Sequence, residues 1–285
     1  MVGMTAASSG LASAQGLLER VPLWSHRSLI WNFAKRDLKS RFKGTALGWA
    51  WSWAVPLSIL AIYTLVFSVI FRAVPPALGN GRPGNFTLFL LAGLVPWGGF
   101  ANTLNLAIAT LLSAGPLMKK IYFPAYAPVF GSVISAMTQV AIELGVLLIV
   151  LLALGNIGLT WLLVPLWALL FVTFVSGLCV VLSILNVYYR DLAHLISVAL
   201  QLLFYLTPII YQLSFLPSTW HGMPLRTIIA TNPIAQFVQV FRALVYDLQP
   251  GALHNWLYLL VWCGISTALA VVVYRRRGLD LGEEL

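Results

Sequence analysis

Apolar residues in this chain form long stretches, and short segments between them carry most of the charge. The first stretch, from Trp49 to Phe71, contains no charged residue. A transmembrane helix needs about 20 predominantly apolar residues to cross the hydrocarbon core of a bilayer. Six stretches meet this requirement and predict an all-α membrane protein with six transmembrane helices. The predicted spans are 49–71, 86–112, 126–154, 161–187, 195–216 and 253–274.

Composition supports a membrane protein. Hydrophobic residues make up 60% of the 285 positions and charged residues only 9%, whereas soluble domains are roughly half apolar. The net charge of +9 would suggest a nucleic-acid partner in a soluble protein. In a membrane protein it reflects Lys and Arg retained on the cytoplasmic side, so no nucleic-acid partner is expected. Cys179 and Cys263 lie inside apolar stretches and are predicted to be small buried hydrophobes.

Basic residues predict the orientation. With the N-terminus inside, 13 of the 17 Lys and Arg residues fall in cytoplasmic segments and four in external loops. This bias places both termini in the cytoplasm. The cytoplasmic set is Arg20, Arg27, Lys35, Arg36, Lys39, Arg41, Lys43, Lys119, Lys120, Arg190 and Arg275 to Arg277, and the external set is Arg72, Arg82, Arg226 and Arg242. Residues 1–24 are small and polar and lack the apolar core of a signal peptide, so we expect a disordered cytoplasmic tail before a transmembrane domain at 25–285.

A helix at about 25–43 is predicted to precede the first span. Its basic side carries Lys35, Lys39 and Lys43 with Arg36 beside them, while Asp37 and Arg41 lie on the apolar side at i,i+4 spacing. The apolar members are Ile30, Phe33, Ala34 and Leu38. Such a helix lies in the membrane interface with its lysines toward anionic headgroups. It is either a solvated basic anchor or a helix that also contacts a partner.

Two further segments are predicted to form short helices that do not span. In the cytoplasmic loop, Pro116 and Pro124 bound a block from Leu117 to Phe123, which favours a short helix with a mixed apolar and basic surface. The alternative is a loop that merely retains positive charge inside. In the external region 217–250, Asn232-Pro233 can cap an apolar helix too short to cross, which we interpret as re-entrant.

Groups for catalysis or ion coupling are scarce. The sequence contains no phosphate-binding Gly-x4-Gly-Lys-Ser/Thr loop and no zinc-type Cys/His spacing. Gln139 and Glu143, one turn apart, are the clear intramembrane polar pair, either hydrogen-bonded for structure or lining a functional seam. Ion-coupled carriers use ionisable groups inside the membrane to bind the coupling ion, and a single buried carboxylate is little for that purpose. The energy for any uphill transport is therefore expected from another chain.

A series of motifs resembles the permease subunits of ABC type-2 polysaccharide exporters, which include O-antigen, teichoic-acid and capsule exporters. The resemblance covers nearly the whole chain beyond residue 25. In order, the motifs are FAKRDLKSRFKGTALGWAWSWAVPL (33–57), YTLVFSVIF (63–71), FLLAGLVPW (89–97), LMKKIYFP (117–124), NVYYRDLAH (186–194), LTPIIY (206–211) and NPIAQFVQVFR (232–242).

The resemblance implies a homodimer in the bacterial cytoplasmic membrane that binds two copies of a nucleotide-binding ATPase subunit, with ATP and Mg on that partner. The interface helix, with Lys35, Arg36, Asp37, Lys39, Arg41 and Lys43, would lie near this partner. The first and fifth spans would border a gate for a lipid-linked glycan. The coupling helix seated on the ATPase would consist of Leu117, Met118, Lys119, Lys120, Ile121, Tyr122 and Phe123.

Sugar units present C–H faces and hydroxyl groups, so a glycan path suits aromatic rings edged by hydrogen-bonding groups. Candidates in the first and fifth spans are Trp49, Trp51, Trp53, Tyr63, Tyr205 and Tyr211. The alternative for each of these residues is a lipid-facing belt or helix packing. Lys35, Lys39 and Arg41 fit either a lipid diphosphate or membrane phospholipid.

Three other functions remain open on the sequence. One is a drug or lipid exporter of the same superfamily. Another is a glycosyltransferase acting on a polyprenyl lipid, which is disfavoured because Glu143, Asp191 and Asp247 are isolated along the chain and form no acidic cluster. The third is an ion-coupled carrier, disfavoured by the lack of intramembrane charge.

Overall fold

The computed structural model describes residues 26–42, 48–72, 76–121, 123–213, 216–219, 222–278 and 281. Within these ranges the regular secondary structure is helical and contains no β-strand, which confirms the all-α class. The α-helices are α1 Arg27–Phe42, α2 Trp51–Tyr63, α3 Phe86–Ile108, α4 Thr110–Met118, α5 Tyr126–Ala153, α6 Val164–Tyr188, α7 Leu192–Tyr205, α8 Leu225–Ala230, α9 Pro233–Val245 and α10 Leu253–Arg277. A π-helical turn, Thr64–Ile70, continues α2.

Five helical segments are long and apolar enough to cross a membrane: Trp51–Ile70, Phe86–Met118, Tyr126–Ala153, Leu159–Tyr188 and Leu253–Arg277. They correspond to five of the six predicted spans. The predicted fifth span, 195–216, forms a shorter helix, because α7 has 14 residues and ends at Tyr205. At 1.5 Å per residue it is about 21 Å long, less than the ~30 Å hydrocarbon core. Pro208 accounts for the early end, since a residue before proline disfavours the α conformation.

The two ends of the helical bundle differ in charge. We call the end that carries α1, Lys119, Lys120 and Arg275–Arg277 the basic end, and the opposite end, where α2 finishes and α3 begins, the far end. α3, α5, α6 and α10 pack together as the centre of the bundle. α2, in contrast, has only two buried side chains, Ser52 and Pro56. Much of the apolar surface of α2 is therefore uncovered in a single copy of the chain.

Small residues let α6 and α10 approach each other closely. A methyl group at Gly177 on α6 would overlap Ser266 on α10, including its backbone. The Ser266 hydroxyl donates to the Phe174 carbonyl over 2.7 Å. Cys179 and Cys263 are both free and buried in this core, which confirms their prediction as small packed residues.

α1 packs on the first half of α5 and confirms the predicted amphipathic helix. Phe33 and Ala34 are buried, and a Cβ at Gly131 of α5 would lie 2.5 Å from the Phe33 Cβ. Lys35, Arg36 and Lys39 are exposed on the other side. The position of Lys43 in the predicted stripe lies outside the described residues.

The predicted pairing of Asp37 with Arg41 is corrected by the structure. Asp37 Oδ1 lies 3.6 Å from Nη2 of the neighbouring Arg36. Arg41 instead lines a cavity between α3 and α5. Partial burial of Asp37 raises its pKa above the usual value, an effect that the two arginines oppose.

Two short helices, α8 and α9, occupy the region predicted to be re-entrant. The cap prediction for α9 is confirmed, because Asn232 Oδ1 accepts a hydrogen bond from the Ile234 amide over 3.1 Å and Pro233 occupies the first turn. The apolar face predicted for α9 is buried against α3, α6 and α10, and it consists of Ile234, Phe237, Val238, Phe241, Leu244 and Val245. With 13 residues α9 is about 20 Å long, too short to cross the hydrocarbon core.

Candidate functional site

The block predicted to be a separate helix from Leu117 to Phe123 has a different shape. α4 runs through Pro116 and ends at Met118, and the Lys119 amide donates to the Gly115 carbonyl over 3.0 Å. Within the described residues, the block consists of the last turn of α4 followed by a turn. Pro116 has no backbone N–H and so removes only one hydrogen-bond donor near the end of α4. The helix therefore continues through Pro116, and no new helix begins there. Tyr122 lies outside the described residues.

The loop after α4, residues 119–125, combines exposed charge with a buried anchor. Lys119 and Lys120 are exposed, and Ile121 keeps 60% of its surface accessible. Phe123 is buried, and its ring centroid lies 5.3 Å from that of Phe33 on α1. The exposed tip is thus attached to α1 through an apolar contact.

A second contact joins the residue before α1 to the start of α5. The Tyr126 hydroxyl and His26 Nδ1 are 2.9 Å apart in a hydrogen bond. Phe33, Phe123 and the buried Ala127 form a small apolar cluster that is separate from the main core. We call this cluster, with the exposed tip Lys119–Ile121, the basic-end unit. A force on the tip would reach both α1 and α5.

Within a single copy of the chain, the described members of the aromatic set predicted to line a glycan path do not converge into one site. Trp51 and Trp53 are each 46% exposed on α2. At the end of α7, the Tyr211 hydroxyl donates to the Tyr205 carbonyl over 3.0 Å. Tyr63 packs on Phe67 within the helix that it shares with the tryptophans. No ring contact within the described residues joins these α2 aromatics to the α7 tyrosines, and the side chain of Trp49 lies outside the described residues.

A cavity of about 430 Å³ opens between α3, α5 and the end of α1. Many of its lining groups are polar. We call it the polar groove and define it by Arg41, Gly98, Asn102, Asn105, Gln139 and Glu143. The predicted pair is present, since Gln139 Nε2 donates to Glu143 Oε1 over 3.2 Å and also to the Ser52 carbonyl over 3.2 Å. The groove therefore borders the beginning of α2.

Sequence reasoning missed the α3 side of this groove. Gly98, Asn102 and Asn105 recur at i, i+4 and i+7, which places them on one face of a helix. That spacing was the available signal. It was easy to overlook because the pattern lies inside a mainly apolar stretch and far along the chain from Glu143.

Arg242, which the sequence analysis counted among the external cations, is only 6% exposed and lies within α9. Its Nη1 donates to the Pro208 carbonyl over 3.0 Å, and its Nη2 donates to the Ile209 carbonyl over 2.9 Å. Its guanidinium carbon lies 3.8 Å from the Phe89 ring centroid. The side chain therefore joins α9 to α3 and to the segment after α7.

Comparison with known proteins decides the family. A family model described as ABC-2 type transporter matches residues 28–246. This chain belongs to the ABC-2 type transporter family. The matched range includes α1 from Ser28 onward, the basic-end unit, the polar groove and α9. The features described above therefore belong to the shared part of this ABC-2 protein.

Named relatives of this ABC-2 protein are export or transport proteins. The O-antigen export system permease protein RfbA of Myxococcus xanthus is 29% identical over 228 residues, 79% of this chain and 83% of the relative. A protein of the same name from Klebsiella pneumoniae is 30% identical over 233 residues, 81% of this chain and 84% of the relative. The polysialic acid transport protein KpsM of Escherichia coli is 22% identical over 248 residues, 85% of this chain and 90% of the relative.

The family and the five apolar helices together define a multi-pass membrane component of a transporter. Within the described residues, no group of three or more His, Cys, Asp or Glu side chains is placed to hold a metal ion. The site offers a charged surface at the basic end and a polar surface in the open groove between α3 and α5.

Proposed function

We propose that this chain is the permease subunit of an ATP-driven exporter that moves a lipid-linked polysaccharide across the bacterial cytoplasmic membrane. The observation that carries the proposal is the similarity to O-antigen permeases, which extends over about four fifths of the chain and of the relatives. A polysialic acid transport protein, weaker in identity but equally extensive, supports a polysaccharide cargo.

ATP hydrolysis belongs to a separate nucleotide-binding subunit that carries ATP and Mg. Two copies of this subunit bind the basic ends of two copies of the permease, and both permease termini are cytoplasmic. The exposed tip Lys119–Ile121 is the seat for the partner. Movement of the ATPase is transmitted through the Phe33–Phe123 contact to α1 and α5.

The second copy of the permease covers α2. Exposed apolar side chains run along this helix and its π-helical continuation, including Val55, Ile62 and Val69. A face of this length gains stability when it is packed against another helix instead of lipid, through van der Waals contact and exclusion of lipid chains. A central path between the two copies would then be bordered by α2 and α7.

The proposal is tested by deleting the gene in its source cell and measuring polysaccharide at the cell surface. We expect surface polysaccharide to disappear, lipid-linked polymer to accumulate inside, and an ATPase to co-purify with the restored permease. Normal surface polysaccharide in the deletion strain would contradict the proposal. If the deletion strain keeps its surface polysaccharide but loses resistance to a drug or changes its membrane lipid, the chain is a drug or lipid exporter instead.

A further inference from the structure

Polar side chains in the groove are unusual for their position in the bundle. Asn102 is 16 residues into the continuous Phe86–Met118 helical segment, and Glu143 is 17 residues into α5. At 1.5 Å per residue these positions lie about 24 and 26 Å from the helix starts, well inside both elements. Polar groups at such positions are costly against lipid and normally face a partner or a water-filled cavity.

The groove presents hydrogen-bonding groups that the protein itself leaves unused. Asn102 and Asn105 are exposed, and the described residues supply no hydrogen-bond partner to either side-chain amide. Glu143 uses Oε1 to accept from Gln139. The other carboxylate oxygen, Oε2, is left to accept from whatever occupies the groove.

Gly98 keeps the space between these groups open. A Cβ at Gly98 would lie 3.9 Å from Glu143 Oε2 and 4.0 Å from Asn102 Nδ2. A carboxylate acceptor and an amide donor thus flank the same opening. In contrast, a Cβ at the adjacent Gly99 would press against Val140 at 2.9 Å, so Gly99 serves helix packing.

We infer that the polar groove is a subsite for sugar hydroxyl groups of the transported glycan, a role that rests on the proposed function. A hydroxyl both donates and accepts, so neighbouring hydroxyls on a sugar ring match a carboxylate acceptor beside amide groups. The cavity of about 430 Å³ falls within the ~300–1,000 Å³ range of small-molecule sites.

The location favours a glycan over other occupants. Gln139 connects the groove to the Ser52 carbonyl, between the exposed Trp51 and Trp53 on α2. Hydrogen-bonding groups and aromatic rings, the two elements that sugars require, therefore occur on adjoining elements. A lipid chain would leave the amides without partners in a dry environment, which is unfavourable. A helix from the second permease copy is the remaining alternative, and the test separates it.

The direct test places a photo-crosslinking amino acid at Asn102 in the full permease–ATPase complex, in source cells that assemble their own glycan. As a negative control, the crosslinker replaces Leu257, which is 53% exposed on α10. In a third variant it replaces Trp53, a candidate residue of the glycan path outside the groove. We expect a carbohydrate-positive ladder on the permease from position 102 and none from position 257. Crosslinks from position 102 only to lipid or to a second permease copy would overturn the inference.

A functional arm uses shape-matched and glycine substitutions. Asn102→Leu with Asn105→Leu removes the amides at similar volume, and we expect export to fall about tenfold with normal assembly, as for two lost hydrogen bonds. Gly98→Leu should block export by filling the opening. Gly145→Ala is the control on α5, because its Cβ would meet nothing within 4 Å. Normal export in both groove variants would also overturn the inference.

These outcomes separate the subsite from the proposed function. A glycan ladder from Trp53 but not from Asn102 rejects the subsite and leaves the exporter intact. No ladder from any position, together with normal surface polysaccharide in the deletion strain, rejects the exporter itself.

Discussion

The rings of Phe33 and Phe123 are in contact, with their centroids 5.3 Å apart and their planes inclined at 50°. This contact joins α1 to the loop after α4, at the basic end of the bundle. Both rings are buried although the neighbouring Lys119 and Lys120 are exposed. The basic-end unit therefore combines an exposed tip with a packed connection to two helices.

Phe123→Ala should uncouple ATP hydrolysis from export. The substitution removes the ring contact that is proposed to transmit movement from the tip, while the exposed lysines of the proposed partner seat remain. We expect the complex to assemble and hydrolyse ATP, with at least about a fivefold lower yield of exported glycan per ATP, because loss of a buried ring weakens packing by several kcal/mol. Phe71→Ala is the control, since Phe71 is 68% exposed. An unchanged yield per ATP would show that coupling does not depend on this contact.

Lys119→Glu with Lys120→Glu should weaken binding of the ATPase. Reversing two exposed charges at the proposed seat places like charges against any acidic surface of the partner. We expect less ATPase to co-purify, with the largest loss at low salt, where charges are screened least. Arg275→Glu with Arg276→Glu makes the same charge change at the same end of the bundle, on α10. Equal loss in both double variants would argue against a specific seat at the tip.

Arg242→Met should destabilise the far end of the bundle. It leaves the Pro208 and Ile209 carbonyls without their buried donor, and charged hydrogen bonds of this kind contribute about 1.5–3 kcal/mol. We expect a clearly lower melting temperature in detergent. Arg242→Lys keeps the charge but not the two-pronged geometry, so it should rescue the protein only in part. Arg72→Met, at an exposed arginine, should leave the melting temperature nearly unchanged; an equal effect there would exclude a special role for Arg242.

Gly177→Ala should separate α6 from α10. The added methyl group would overlap Ser266, whose backbone cannot move without shifting the helix. Gly264→Ala on α10 is the control, because its added methyl group would meet nothing within 4 Å, and it should be neutral or slightly stabilising. Thermal unfolding of the two variants measures the difference. Similar melting temperatures for both would contradict the close approach of these helices.

The sequence predicted those elements whose signals are local. Asn232-Pro233 identified the start of α9, and the alternation of Phe33 and Ala34 with exposed lysines identified α1. Proline was less informative, because Pro116 reads as a helix start in sequence but lies within the last turn of α4. Pro208 lies inside the apolar stretch that was predicted as the fifth span, so the early end of α7 was not predicted.

Relations between distant residues could not be read from the sequence. Arg242 looked like an external cation because its partners, the Pro208 and Ile209 carbonyls, belong to a backbone segment more than 30 residues away. Asn102 approaches Glu143 only when α3 packs on α5. In both cases a polar residue in an apolar helix was the visible sign, and its partner depended on the fold.

The central claim is that this permease moves a lipid-linked polysaccharide with energy supplied by a separate ATPase. The most direct measurement reconstitutes the purified permease in vesicles loaded with the lipid-linked glycan of its source cell, with and without the partner ATPase. We predict that glycan becomes accessible on the opposite side only when the ATPase and ATP are both present. Accumulation of glycan against a gradient by the permease alone, or no ATP-dependent movement in the complete complex, would contradict the account.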